Sequence, residues 1–262
     1  VLIFGVYGNG GPLQGGRATA LLRESAAAVA GDTEVRSLRL NGSIQNTVNG
    51  VTAKLNPAQP VEFRMVLFDG YLQIEQDSGL GVTRFAGFRG SELLNGLRTS
   101  DARTVGSTRF APEQLDIERF RFGCLILGML GRLDSVNSWR VEEEAARESG
   151  RLQIHLKGPT GTEVWLTIDP DTRLPLSLRY SDQVSFPKPL TPEQVKRGVM
   201  APRPPRVTTE VTMEFLERPA EGEVRVPRLI RKTAQGVLLE EIRIQTVVVN
   251  PKLTDADFKT GR

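Results

Sequence analysis

Histidine and cysteine are almost missing from this chain, with one of each in 262 residues. A single cysteine excludes an intrachain disulfide and a thiolate metal cluster. It sits in Phe122-Gly123-Cys124-Leu125-Ile126-Leu127, which reads as a small buried apolar residue rather than a reactive thiol. The one histidine, His155, has no partner at metal-ligand spacing and reads as a solvated residue on the polar side of a strand. Acid–base or nucleophilic chemistry needs a base within reach of a nucleophile. The chain offers neither that nor a Gly-x-Ser-x-Gly or HExxH motif, so a non-catalytic protein is expected. Gly8-Asn9-Gly10-Gly11 lacks the lysine and the strand–helix setting of a phosphate loop, and no cofactor is expected. No metal site is expected either, since Asp169 and Asp171 read as turn residues and Glu142-Glu143-Glu144 as a solvated run. Asn41-Gly42-Ser43 matches a glycosylation sequon, a pattern short enough to arise by chance.

An excess of charge is missing too. Lys and Arg number 34 against 31 Asp and Glu, a net charge of +3. No basic block alternates with aromatic residues, which argues against nucleic acid. The pI near 9.2 suits peripheral contact with an anionic membrane surface. Long apolar runs are absent: VLIFGVYG at the start falls well short of the roughly 20 residues that span a bilayer.

What the chain does have is period-2 alternation. In Val164 to Tyr180, VWLTIDPDTRLPLSLRY, Val164, Leu166 and Ile168 share one parity with Leu174, Leu176, Leu178 and Tyr180. The break, Asp169-Pro170-Asp171-Thr172-Arg173, is turn chemistry, so the segment predicts a β-hairpin with one apolar face. Similar strands follow from Leu38, Leu40 and Ile44; from Val61, Phe63, Met65 and Leu67; and from Leu72 and Ile74. Others follow from Val82 to Phe88, and from Leu152, Ile154 and Leu156. The last three come from Val207 to Phe215, from Val224 to Thr233, and from Val237 to Val249 with Ile242, Ile244 and Val248 inward. Asn95 to Thr108 reads as a polar loop, and Thr254 to Asp257 as a closing helical turn that seats Phe258.

Two helices are predicted. Arg17 to Ala30 has Ala18, Leu21, Leu22, Ser25, Ala26 and Val29 on one face and Gly31 at its end. Pro112 to Leu133 starts with Pro at its first position and is apolar all round from Cys124 onward, which implies burial on several sides. Its glycines, Gly123, Gly128 and Gly131, either weaken it or permit close packing. Residues 181–206 hold six prolines and read as a long excursion with a short helix near Glu193 to Arg197. Residues 1–16 are set apart from a single domain over 17–262. They read as a first strand, the remnant of a signal or anchor segment, or an arm that pairs with a neighbour's sheet edge.

The order of elements resembles the periplasmic lipoprotein carrier superfamily, the LolA/LolB-like proteins. The resemblance rests on Trp165, Asp169-Pro170, Thr172 and Leu174-Pro175 in the hairpin, and on Val226-Pro227 through Asn250-Pro251 closing on Phe258. It implies a mainly β (α+β) fold: a strongly curved antiparallel sheet forming a half-open β-barrel, with helices covering or plugging its concave side. It also implies a periplasmic or otherwise extracytoplasmic protein that binds a lipid, an acyl chain or a lipoprotein in an apolar concavity. The lining positions expected on this reading are Leu38, Leu40, Phe63, Met65, Leu67, Ile126, Met129, Val211, Met213 and Phe215. The alternative is a structural or interaction subunit of a larger assembly. There the N-terminal arm, residues 1–11, and the Pro-rich excursion would make the contacts to a partner or a second copy.

Overall fold

The computed structural model describes residues 16–46, 58–67, 69–77, 81–99, 104–105, 112–132, 139–148, 150–158, 161–186, 193, 205–219 and 224–259. Among the described residues thirteen strands form one antiparallel sheet, β1 (Ser37–Asn46), β2 (Gln59–Val66), β3 (Gly70–Asp77), β4 (Val82–Arg89), β5 (Glu92–Thr99), β6 (Thr104–Val105), β7 (Arg140–Glu148), β8 (Arg151–Lys157), β9 (Glu163–Ile168), β10 (Pro175–Ser185), β11 (Arg206–Leu216), β12 (Leu229–Ala234) and β13 (Val237–Val249). Their spatial order is β6-β5-β4-β3-β2-β1-β13-β12-β11-β10-β9-β8-β7. It is a meander in two halves, sewn together where the first strand meets the last, with β6 and β7 left as the two ends. The sheet is open rather than closed, and one face carries two helices, α1 (Arg17–Ala30) and α2 (Pro112–Leu130). This is the half-open barrel with a helix-filled concavity that the resemblance implies.

The predicted turn forms as its chemistry dictates. The Asp169 carboxylate accepts the backbone N–H of Asp171 at 2.9 Å and of Thr172 at 2.8 Å. The Thr172 N–H is the larger cause, with that of Asp171, holding the Asp169 carboxyl below its ordinary value. Arg173 takes the left-handed conformation, φ 62°, to return the chain into β10. Helix α1 begins and ends as expected, with Gly31 at φ 57° donating to the Ala27 carbonyl at 2.8 Å.

Period-2 logic fails where a strand gains a residue. On β13, Ile244 pairs with Gly42 while Thr246 pairs with Asn41, so Gln245 is an extra residue. The bulge reverses parity: Val247 and Val249 lie opposite Leu40 and Leu38, and Val248, expected inward, is 46% exposed. Gly42 is required at this crossing, because a Cβ there would sit 1.9 Å from the Arg243 carbonyl oxygen. A second shift at Leu176 likewise takes that residue off the buried face, whereas Leu178 and Tyr180 stay inward.

Four further expectations need correction. Asn95 to Thr108 is not simply a loop. Residues up to Thr99 continue β5, and Thr104–Val105 form β6. Gly96 takes a buried place beside Leu94 and opposite Phe85 on the convex side without an apolar side chain, which hid the alternation. The excursion is shorter than 181–206: β10 runs to Ser185 and β11 starts at Arg206, paired Ser185 to Arg206. Within 187–204 only Glu193 is described, so the helix expected near it lies outside the described residues, as do residues 1–15 of the arm and Leu133. The strand expected from Val224 begins only at Leu229, after Pro227. Finally, Leu72 and Ile74 point to the convex side. There Leu72 joins Phe85, Leu94 and Phe258 in a small second core under the 3-10 turn Asp255–Phe258. The inward residues of β3 are Tyr71, Gln73 and Glu75.

Candidate functional site

The concave face is built from residues of both half-meanders. Leu38 and Leu40 of β1 pair with Met65 and Phe63 of β2, and Val211, Met213 and Phe215 on β11 lie across from Tyr180, Leu178 and Ile230. Leu38, Leu40, Phe63, Met65, Leu67, Ile126, Met129, Val211, Met213 and Phe215 are all buried and belong to one continuous apolar cluster. Helix α2 lies in the midst of it. Phe120, Phe122, Cys124, Leu125, Ile126, Leu127, Met129 and Leu130 are all buried, as expected for a helix apolar all round. Burial pushes the Cys124 thiol well above its ordinary value, so it is packing rather than a nucleophile.

The glycines of α2 turn out to be receptacles for rings. A Cβ at Gly128 would lie 1.7 Å from Phe215 Cζ, and one at Gly123 would lie 2.8 Å from Trp139. The Trp139 ring also stacks on Phe120, with centroids 5.5 Å apart. So the helix is seated by aromatic knobs entering glycine pits, one from β11 and one from the entry to β7.

Two arginines tie the helix, one at its last turn and one at its midpoint. Arg218, just past β11, is half-buried and donates to the carbonyls of Gly128 at 2.8 Å, Met129 at 3.0 Å and Pro175 at 3.1 Å, and also to that of Arg225. It thereby satisfies carbonyls that the last helical turn leaves open. Burial, followed by the neighbouring Arg225, lowers its pKa to about 9, so the guanidinium is charged at neutral pH. At the midpoint of the helix, Arg121 grips Asp182 of β10 with two bonds, Nε to Oδ2 at 3.2 Å and Nη2 to Oδ1 at 3.0 Å. Burial works against the Asp182 charge, but Arg121 and Lys232 outweigh it and hold the carboxyl below its ordinary value.

Sequence reasoning missed the polar part of this lining. Tyr71 donates to Gln73 Oε1 at 2.5 Å, and Gln73 donates to Glu75 Oε1 at 2.6 Å, so β3 presents a polar file inward. Lys232 of β12 pairs in register with Glu240 of β13, and its Nζ lies 3.5 Å from Asp182 Oδ2. Burial, helped by repulsion from Glu75, outweighs the attraction of Lys232 and holds the Glu240 carboxyl above its ordinary value. Inward polar residues leave no mark in a hydrophobic alternation. The one available signal was the parity of Asp182 with Tyr180 and Val184.

On the convex face His155 is not solvated as expected. Its ring stacks on Trp165 at 4.9 Å, its side chain is 17% exposed, and Nε2 lies 3.7 Å from Glu163. Arg179 covers the same Trp165 ring. Among the described residues no three His, Cys, Asp or Glu side chains converge as metal ligands, and no helix is long and apolar enough to cross a membrane.

An unclosed antiparallel sheet curved around an apolar helix is the LolA-like fold. Solved structures bear this out. A LolA superfamily protein of Nitrosomonas europaea superposes with a TM-score of 0.53 at 8% identity, over 93% of this chain and 98% of that one. A DUF1329 family protein of Desulfovibrio piger gives 0.52 at 13% identity, over 93% and 98%. A putative outer membrane lipoprotein-sorting protein domain of Vibrio parahaemolyticus gives 0.51 at 14%, over 92% and 95%. At these identities the likeness is one of fold. No family model matches the sequence, and no curated protein matches it.

Proposed function

We propose that this chain is a non-catalytic, extracytoplasmic carrier that holds a lipid, an acyl chain or the acylated end of a lipoprotein against the concave face. The observation that carries the reading is the character of α2. It fills the apolar trough, and between the tie of Arg121 at its midpoint and that of Arg218 at its last turn the stretch Phe122 to Leu127 is seated by buried apolar packing. An acyl chain offers the same kind of surface, with about 0.8 kcal/mol per buried methylene, so a ligand of a dozen carbons competes on equal terms with a segment of helix. The positions expected to meet it are Leu38, Leu40, Phe63, Met65, Leu67, Ile126, Met129, Val211, Met213 and Phe215. The fold it shares with a lipoprotein-sorting domain supports both the ligand class and the compartment. Delipidated protein should take up a fluorescent fatty acid in a saturable, stoichiometric way; absence of uptake defeats the reading.

The two ends of the sheet among the described residues, β6 and β7, support a second reading, an assembly subunit that joins neighbours through its edges, its N-terminal arm and its Pro-rich excursion. Removing residues 1–11 should then change the oligomeric state, and an unchanged state defeats it.

A further inference from the structure

On the convex face, away from the apolar trough, side chains of β1 to β5 hold the segment Thr254–Phe258. The Phe258 ring, 2% exposed, packs with Leu72, Phe85 and Leu94. A Cβ on Gly70 would lie 3.1 Å from Phe258 Cε1, so the glycine makes room for the ring. Three arginines from three strands surround this pocket. Arg39 of β1 donates through Nη2 to Asp257 Oδ1 at 3.1 Å. Arg64 of β2 donates through Nη1 to the Asp257 carbonyl at 2.6 Å. Arg89 of β4 donates to Asp255 Oδ1 through Nε at 3.1 Å and Nη2 at 2.9 Å, and its guanidinium covers the Phe258 ring, 4.8 Å from the centroid.

Both halves of this contact are shaped independently of each other. The segment closes on itself: Asp257 Oδ2 accepts the Thr254 N–H at 2.8 Å and the Thr254 hydroxyl at 3.0 Å, which leaves Oδ1 for Arg39. Its backbone bonds are internal as well, from Asp257 N–H to the Thr254 carbonyl and from Lys259 N–H to that of Ala256. The sheet in turn places its own guanidiniums. Glu62 lies 2.8 Å from Arg64 Nε and 3.5 Å from Arg39 Nε, and Asp69 lies 2.7 Å from Arg89 Nη1. These two carboxylates leave the three arginines with a surplus of positive charge, which Asp255 and Asp257 meet. A pre-placed cleft and a self-shaped segment that touch through sheet side chains are the parts of a peptide-recognition site.

We infer that this cleft is a docking site for a short acidic segment of a partner protein, of the form Asp-x-Asp-Phe, and that the chain's own Thr254–Phe258 occupies it as a tethered competitor. The cleft reads one ring, two carboxylates and one carbonyl, and none of these contacts needs the tether. A short tether presents its end at an effective concentration on the order of 1 mM, so a segment that stays seated has an intrinsic Kd below about 1 mM. The partner docks by displacing the tethered copy. The cleft lies on the opposite face of the sheet from the trough, so this inference stands or falls independently of the carrier reading.

The test titrates the full chain into a fluorescein-labelled peptide of residues 251–259, with anisotropy as the readout. Asp257→Ala/Phe258→Ala removes two anchors of the tethered competitor and should bind the peptide saturably, with a Kd below about 1 mM. Asp257→Ala alone keeps the ring seated and should bind less tightly, and the wild type should bind several-fold more weakly than the double variant. The same peptide carrying Asp257→Asn should lose on the order of tenfold, the worth of one charge-assisted bond, and a peptide carrying Phe258→Ala should not bind. Arg64→Gln, added to either variant, should weaken the wild-type peptide by a similar factor. Equal binding by the wild type and both variants overturns the inference, as does binding indifferent to Arg64→Gln. Lack of saturable binding by the variants at about 1 mM overturns it too, and Asp257→Ala against the wild type decides the matter if the double variant does not fold. Self-association of the wild type that Asp257→Ala abolishes makes the occupant a second copy and overturns the assignment to a partner.

Discussion

Gly128→Ala gives a direct measure of how α2 is held. In an isolated helix the substitution stabilises by about 1 kcal/mol, because alanine loses less backbone freedom than glycine. Here the added methyl meets the Phe215 ring at 1.7 Å, and ordinary contact needs at least 3.4 Å. The ring is 2% exposed and embedded in the main core, so either it or the helix must shift. Overpacking of this kind costs about 1–3 kcal/mol, and a clash this deep belongs at the upper end. The expected net effect is a loss of about 2 kcal/mol. Phe215→Ala alone should lose about 3–5 kcal/mol. In that background the pit is empty, the methyl has room, and Gly128→Ala should recover its helical gain of about 1 kcal/mol. The two substitutions are therefore coupled by about 3 kcal/mol, far beyond the scatter of independent sites. Urea unfolding followed by circular dichroism, at constant m-value, measures all four corners. A stabilising Gly128→Ala in the wild type, or the same cost in both backgrounds, would refute the ring-in-pit seating of the helix.

Arg218→Met should cost about 3 kcal/mol or more in the same assay, because it strands the carbonyls of Gly128, Met129 and Pro175 away from water. Asp169→Ala should destabilise by about 1 kcal/mol at neutral pH, as loss of a capping acceptor does. Because the folded-state pKa of Asp169 is lowered, its contribution is full above the unfolded value of 3.8 and fades as pH falls through the folded one. Wild type and variant should therefore converge in acid-side melting curves. Glu240 has the opposite sign. Its folded pKa is raised, so the protein loses stability as pH rises from 4.5 through the folded value, and Glu240→Gln should melt higher than wild type at pH 7 but not at pH 4.

The apolar half of the molecule was legible because burial on one face of a strand writes itself as alternation. Leu38, Leu40, Phe63, Met65, Val211, Met213 and Phe215 could all be placed inward from parity alone, and each is buried. Parity misled at Val248, where one extra residue on β13 turned the face over, and at Leu72, where a second apolar layer on the convex side imitated the first. The polar half was illegible for a different reason. Gln73, Glu75, Asp182, Lys232 and Glu240 look like solvent-facing residues in sequence, and only three-dimensional register shows that they share the concave face with the core. The same goes for Arg218, a surface-type residue whose buried partners are backbone carbonyls from two other parts of the chain.

The gap between β6 and β7 gives the molecule a freedom that a sealed cylinder lacks. A closed barrel has a girth fixed by its number of strands and their stagger. Here the sheet stops at both ends, and small changes of twist between neighbours can add up around the arc without parting any ladder. An open arc of this kind can change its radius, much as a spring clip differs from a ring, and under the carrier reading proposed above one set of strands serves ligands of different bulk.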